Sequence, residues 1–379
     1  MKILLLGEYN ASHFNLKLGL EALGHEVLLV GHGDGFKKRP ADILLKQRFQ
    51  SGFWYYVRRI VHVFSGMDLN SINLTRQFRH HQHRFLNQDV VQLINERPIG
   101  CLPKTEAKLL SYIFEHNKKV FLLSNGTDYI SVKFALDGKY RYGILTPYFE
   151  NKGHKKDFLP ALNYVSSAHK VLHDYVYKNV IGVFSSDLDY LLPLQNHPKH
   201  LGLMPHPIYL KQLEFQIPII TDKIVIFHGI NSRNYYKKGN DLFELALQKL
   251  MSSHESKIEI ITTHNLAHSE YLKAYNSAHI LLDMVYAYDQ GYNALEAMAK
   301  GKVVFTGAER EWLEYYNIEE DQVVINALPD PQSIYLKLVD LIEQPEKIIA
   351  IGTSARKFVE QFHDAHLIAE RSLAAWKKH

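Results

Sequence analysis

The chain has 379 residues, 46% of them hydrophobic and 22% charged, with a formal net charge of +4. That balance belongs to a folded globular protein with room for two domains, and it excludes a largely disordered chain. A charge this small does not point to nucleic acid, and the single Cys101 excludes an internal disulfide or a cysteine-based metal cluster, which fits a reducing cytoplasm.

Taken in order, Lys2 to Leu6 has the length of a buried strand and runs straight into Gly7-Glu8, so neither a secretory leader nor a spanning helix is expected there. A helix is predicted over Phe14 to Leu23, ended by Gly24, and a second strand over Glu26 to Val30. This β-α-β opening is of Rossmann type. Its first loop, Gly7 to His13, lacks a G-x-G-x-x-G fingerprint, which argues against a tightly held dinucleotide. Asn10 and Ser12 in that loop either shape the turn or face a ligand.

Between Lys37 and Arg84 ten Lys or Arg residues stand against Asp42 and Asp68, around the aromatic run Phe53-Trp-Tyr-Tyr56. One reading is a pair of surface helices whose aromatics enter the core; the other is a surface for anionic lipid headgroups. His80, His81 and His83 have no Cys, Asp or Glu at ligand spacing, so no metal is expected. Helices are predicted over Asp89 to Glu96 and Glu106 to Asn117, then a strand over Lys119 to Leu123. It ends in Ser124-Asn-Gly-Thr-Asp128, where Asp128 is placed to cap a helix or to enter a cleft. A helix over Phe158 to Val171, a strand over Val180 to Phe184 and a helix over Leu188 to Leu194 follow. The proline-rich turn Met204-Pro-His-Pro-Ile208 comes next.

The second unit begins with a strand over Lys223 to Phe227 and a polar loop in which Arg233 and Lys238 stand five residues apart. The helix Asp241 to Leu250 follows, then the strand Lys257 to Thr263 with His264 at its end, and a helix over Ser269 to Ser277. A strand over His279 to Val285, a loop closing at Gly291, a helix over Ala294 to Lys300 stopped by Gly301 and a strand over Lys302 to Thr306 make one βαβ step. Such a step is right-handed and leaves its loop at the carboxyl end of the first strand, where open α/β sheets bind ligands. The helix start presents amides, here Ala294 and Leu295, together with the positive end of the helix dipole, and so favours an anion. Asn293 as N-cap with Glu296 three residues on also fits a capping box. Glu309 to Tyr316, Gln322 to Ile325, Pro331 to Glu343 and one long helix over Arg356 to Lys377 complete the chain.

The stretch Gly291-Tyr-Asn-Ala-Leu-Glu296-Ala-Met-Ala-Lys-Gly301-Lys-Val-Val304 resembles the signature of family 4 retaining nucleotide-sugar glycosyltransferases. The resemblance is specific over 223–307 and looser elsewhere. It implies an α/β protein of two Rossmann-like domains facing across a cleft (GT-B). An acceptor-side domain would span 1–210, with a terminal helix 356–379 packing back on it, and a nucleotide-sugar domain 220–355. In that family Glu296 would hold the ribose hydroxyls and the amides just before it, in Gly291, Tyr292, Asn293, Ala294 and Leu295, the donor phosphates. Arg233 and Lys238 would grip the diphosphate, His264 would lie by the base, Asp128 would stand beside the donor sugar as the catalytic candidate, and Asn10 and Ser12 would face the acceptor. The other signature Glu falls on Tyr288, with Asp289 one residue later as its nearest substitute.

The donor implied is a UDP- or GDP-linked sugar with no separate cofactor and no metal. The acceptor is a glycan or lipid-linked glycan of surface polysaccharide biosynthesis, and the enzyme works in the cytoplasm or peripherally at the inner membrane face. A GT-B nucleotide-sugar epimerase and a non-catalytic sugar-nucleotide-binding partner are the competing readings.

Overall fold

The computed structural model describes residues 1–32, 40–266 and 268–379. Among these residues the strands form two parallel sheets. The first unites β1 (Lys2–Leu6), β2 (Glu26–Gly31), β3 (Ile43–Leu44), β4 (Val90–Leu93), β5 (Val120–Ser124), β6 (Val183–Ser185) and β7 (His200–Leu203), in the order β3-β2-β1-β4-β5-β6-β7. The second unites β8 (Ile224–Ile230), β9 (Ile258–His264), β10 (Ile280–Leu282), β11 (Val303–Thr306) and β12 (Ile325–Asn326), in the order β12-β11-β10-β8-β9. In both, the strand order reverses beside the first strand of the unit, the place where such sheets open a crevice for ligands. This is the two-domain Rossmann-like architecture of the GT-B fold.

The strands are nearly continuous apolar runs because helices cover both faces of each sheet. Residues 89–96, expected as a helix, instead hold β4. All four of its residues are buried, and it lies in register with Ile3 to Leu6 of β1 and, from Val91 to Leu93, with Val120 to Leu122 of β5. A central strand wants β-branched residues buried on both sides, and Val90-Val91 supply them although their spacing also suits a helix.

The long terminal helix is in fact two. Glu346–Phe362 lies on the second unit, against the signature helix Tyr292–Ala299, and Ala365–Lys378 crosses to the first unit and packs on helix Ser12–Ala22. Only the part beyond the break therefore packs back. A Cβ at Gly19 would fall 2.2 Å from the Ala365 carbonyl oxygen, so glycine sets how closely these helices approach. Trp376, fully buried, joins the core of Ile3, Leu5, Leu16 and Leu20. The break at His363-Asp364 pairs with the other passage between the units. Ile208 N–H donates to the His363 carbonyl (2.7 Å) and Ala365 N–H to the Ile208 carbonyl (3.0 Å).

The basic, aromatic stretch does form two helices, Gly52–Ser65 and Leu69–His81. Its aromatics do not enter the core: Phe53, Trp54, Tyr55 and Tyr56 are all exposed. Lys37, Lys38 and Arg39 lie outside the described residues. Among the described residues no helix is long and apolar enough to cross a membrane, and no group of three His, Cys, Asp or Glu residues is arranged to hold a metal.

Candidate functional site

The anion-ready helix start sits where β10 and β11 deliver it, but its cap differs from expectation. The helix is Tyr292–Ala299 with Gly291 as N-cap, φ −82° and ψ 174°. Asn293 and Glu296 are thus the second and fifth helical residues, and a capping box, which joins the N-cap to the third, cannot form between them. The Leu295 amide is already donated to the Gly291 carbonyl at 3.0 Å. The first-turn amides with no intrahelical acceptor therefore include Asn293 and Ala294 rather than Leu295. Leu295 and Ala294 are buried, Glu296 is half-buried and Gly291 is exposed.

Asp283, the first residue past β10, organises the groups around that turn. Its Oδ1 accepts from Lys238 Nζ and from Asn293 Nδ2, both at 2.8 Å, and Asn293 Oδ1 in turn accepts from the Tyr271 hydroxyl at 2.9 Å. Burial and the Asp283 charge keep that phenol protonated. An ammonium has three donors, so Lys238 keeps capacity for an anion at the helix start while Asp283 holds its stem in place. Lys238 is delivered by a turn ending at Gly239. There a φ of +73° and the mere 2.6 Å that would separate a Cβ from Val285 both call for glycine. Arg233 has other surroundings. It is exposed and lines a cavity of about 260 Å³ with Tyr236 and Lys237 on one side and Asp157 and Phe158 of the first unit on the other. His264 ends β9, exposed, and Tyr292 turns away from the helix start to donate its hydroxyl to the Pro207 carbonyl at 3.2 Å.

Tyr288 and Asp289 lie against the first unit. The Tyr288 hydroxyl accepts from the Arg141 backbone N–H (2.8 Å), its ring packs on Tyr140 and Tyr142, and the Arg141 guanidinium lies 4.9 Å from its centroid. Arg141 reaches on to Glu309 and Glu311, both at 2.6 Å. Asp289 is buried and accepts from the Leu188 amide (3.0 Å) and from Gln290 N–H (2.7 Å). It therefore holds the start of helix Leu188–Leu194 instead of standing open to a sugar. Burial, then the neighbouring Asp187, pushes its carboxyl up to about 7. Asp187-Leu-Asp189 is an Asp-x-Asp sequence, a pattern common in metal-dependent sugar transferases, yet both of its carboxyl groups are engaged within the protein. Asp187 caps the helix and meets His206 Nε2 at 3.2 Å, and Asp189 accepts from the Tyr288 amide at 3.1 Å.

In the first unit Asp128 is buried as the N-cap of helix Tyr129–Leu136. It accepts from Ser131 N–H at 2.8 Å and from the Ser124 hydroxyl, and Ser131 returns the bond to complete a capping box. Asn10 (φ 54°) and Ala11 (φ 71°) form the left-handed turn before helix Ser12–Ala22, and Ser12 is buried at its first position. Tyr9 of this loop lies beside Gly126 of the Asp128 loop, so the two loops meet at the carboxyl ends of β1 and β5. Buried His13, neutral because burial drives its pKa down to about 3, fixes the loop through the Gly7 carbonyl (2.8 Å).

The structure thus joins Lys238 and Asn293 through Asp283, at the turn that holds Ala294, while Arg233 lines the cavity facing Asp157 and Phe158, Asp289 binds the Leu188 amide, and Asp128, Asn10 and Ser12 stand in loops of the first unit. Asp283 went unread in the sequence, although its signal was there: the first charged residue after a buried strand that leads into an anion-ready loop. Asp189, Arg141 and Glu309 gave no such signal, because their partners are distant in the chain.

Residues 242–374 match a protein family described as glycosyl transferase-like. Curated proteins give no match to this sequence. Among solved structures, the sucrose-phosphate synthase of Thermosynechococcus elongatus is 13% identical with a TM-score of 0.63, covering 100% of this chain and 99% of its own. Anabaena HepE in complex with UDP-glucose is 11% identical at TM-score 0.59, covering 100% of both chains. A putative UDP-N-acetylglucosamine 2-epimerase from Listeria monocytogenes is 13% identical at TM-score 0.52, covering 100% of this chain and 96% of its own. The chain has the GT-B fold, and residues 242–374, most of the second unit and the start of the terminal helix, carry the match to the glycosyl transferase-like family.

Proposed function

We propose that the protein is a glycosyltransferase that moves a sugar from a UDP- or GDP-linked donor to a glycan or lipid-linked acceptor. The observation that carries this is the arrangement at the carboxyl end of β10. Asp283 holds the Lys238 ammonium and Asn293 at the N-terminus of helix Tyr292–Ala299, and the half-buried Glu296 follows in its second turn. Asp283 and that helix lie inside the segment that matches the glycosyl transferase-like family. A leaving nucleoside diphosphate gains charge as the glycosidic bond breaks, and fixed amides and an ammonium oriented beforehand stabilise it. The GT-B neighbour HepE, in complex with UDP-glucose, supports a nucleotide-sugar donor.

In this reading Glu296, five residues into the helix and outside any capping box, takes the ribose hydroxyls, and Arg233 approaches the diphosphate from the cavity side. His264 lies by the base, and Asn10 and Ser12 lie on the acceptor side. Asp128 acts as a positioning residue that fixes the Ser124–Asp128 loop at the first-unit wall. Asp289 holds the first-unit helix against the donor domain. Retention of anomeric configuration, independence of metal and a place in cytoplasmic or membrane-peripheral surface polysaccharide assembly rest on the signature over 291–304.

The second reading, an epimerase, is the activity in the name of the Listeria neighbour of the same fold and would need no acceptor. Tyr288 at a signature Glu position speaks for a third, a sugar-nucleotide-binding partner. Incubation with a panel of UDP- and GDP-sugars, following free nucleotide and sugar configuration with and without lipid-linked acceptor, separates them. Acceptor-dependent release of UDP or GDP supports transfer. Configurational change without acceptor identifies an epimerase, and binding without either identifies the partner.

A further inference from the structure

Helix Gly52–Ser65 contains no buried residue. At about 100° per residue, Val63, Tyr56, Ile60, Phe53 and Phe64 share an arc of about 100°. They are 76%, 64%, 57%, 74% and 86% exposed. Val57 and Val61, at one margin of this arc, and Arg58, opposite it, are half-buried against the molecule. Arg58 is pinned there by Asp68 (2.5 Å) and Gln50 (3.0 Å), which fixes the apolar stripe facing outward. Arg59, exposed, flanks the stripe beside the Tyr55 ring, and His62 lies behind it. Neither this helix nor the adjoining Leu69–His81 carries an acidic residue, and the latter exposes Arg76 and Arg79.

We propose that Gly52–Ser65 is an in-plane docking helix for an anionic bilayer. A contiguous apolar stripe of this size marks an interaction surface. Aromatic and aliphatic residues on one side of a helix, with cations at its margin, match the boundary between headgroups and acyl chains. A second copy of the chain fits less well, because pairing two such stripes would bring Arg59 and its cationic neighbours against their equivalents with no acid to answer them. The docking does not depend on the transferase reading, since vesicle binding is measured without nucleotide or acceptor.

The test is co-sedimentation of the full chain with vesicles of phosphatidylcholine alone or mixed with phosphatidylglycerol. The expected result is binding to the anionic vesicles. Phe53→Ser with Phe64→Ser should weaken it at least tenfold, and Arg59→Glu should weaken it and flatten its salt dependence. The circular dichroism spectrum and the thermal unfolding midpoint, measured in parallel, should hold in all variants and show that they are folded. Equal vesicle binding by the serine variant, or none by the unaltered protein, overturns the proposal. A dimer in sedimentation velocity that the serine variant abolishes, with no vesicle binding, overturns it in favour of self-association.

Discussion

The backbone amide of Tyr288, in the second unit, donates to the carboxylate of Asp189, in the first, at 3.1 Å. Asp189 also accepts from the Asp289 amide, and burial followed by the Asp187 charge raises its carboxyl well above the usual range. Asparagine keeps the accepting oxygen without the charge that burial penalises. Asp189→Asn should therefore leave the urea midpoint nearly unchanged, whereas Asp189→Ala, which strands two buried amides, should lower stability by about 1–3 kcal/mol.

Glu296 and Lys238 are expected to differ in what they read. Glu296→Ala should weaken binding of UDP or GDP, and of the bare nucleoside, by about 1–3 kcal/mol, because a charged hydrogen-bond partner of the ribose is lost. Lys238→Met should weaken the diphosphates by a similar amount and leave the nucleoside alone. Calorimetry with nucleoside and diphosphate checks both, and unchanged affinity in Glu296→Ala would remove Glu296 from the site.

At Asp128 the comparison is again between asparagine and alanine. Asparagine caps a helix as well as aspartate does, and the loss of a cap costs about 1 kcal/mol. Asp128→Asn should keep both stability and the transfer rate within a few-fold, and Asp128→Ala should lose about 1 kcal/mol. A large fall in rate for the asparagine variant at unchanged stability would give the carboxylate a direct part in the chemistry.

Buried carboxyls should lose their share of the stability as pH rises through neutrality, while buried His13 and His363, driven down to about 3, gain theirs as pH rises towards 6.5. The Asp289 carboxyl goes from an ordinary 3.8 to about 7 in the folded chain, and buried Glu96 and Glu106 also rise to about 7. The protonated forms favour the fold, so their contribution is complete below the unfolded values and is lost as pH climbs through 7. Denaturation of the unaltered protein and of Asp289→Asn at pH 5.5 and pH 8 isolates one carboxyl: the variant should lose less stability, or gain more, between the two, by at most about 1.4 kcal/mol per pH unit.

The second unit was legible because its signals are local. Strand, polar loop, helix and glycine stop follow one another within the signature, and helix Pro331–Glu343 has the bounds its capping Asp330 and apolar spacing imply. The cap at Gly291 was misread because Asn293 is the better capping residue by type, and only the backbone decides which residue enters the helix. β4 was misread because its apolar spacing fits two periods and its strand partners lie far away in sequence. The contacts of Tyr288 were closed to sequence reading altogether, since Arg141 and Asp189 stand 147 and 99 positions away.

Helix Ala365–Lys378, lying on Ser12–Ala22, ties the order of synthesis to the order of folding. While the chain is being made, the cluster of Ile3, Leu5, Leu16 and Leu20 lacks the part of its cover that Ile368, Leu373 and Trp376 supply, so the first unit's core cannot be completed before the second unit has been made. A protein wired in this way matures as one body, and its amino-terminal half must wait, with apolar surface showing, for its closing segment. Shortening the chain by that helix should therefore damage the unit farthest from the cut in sequence.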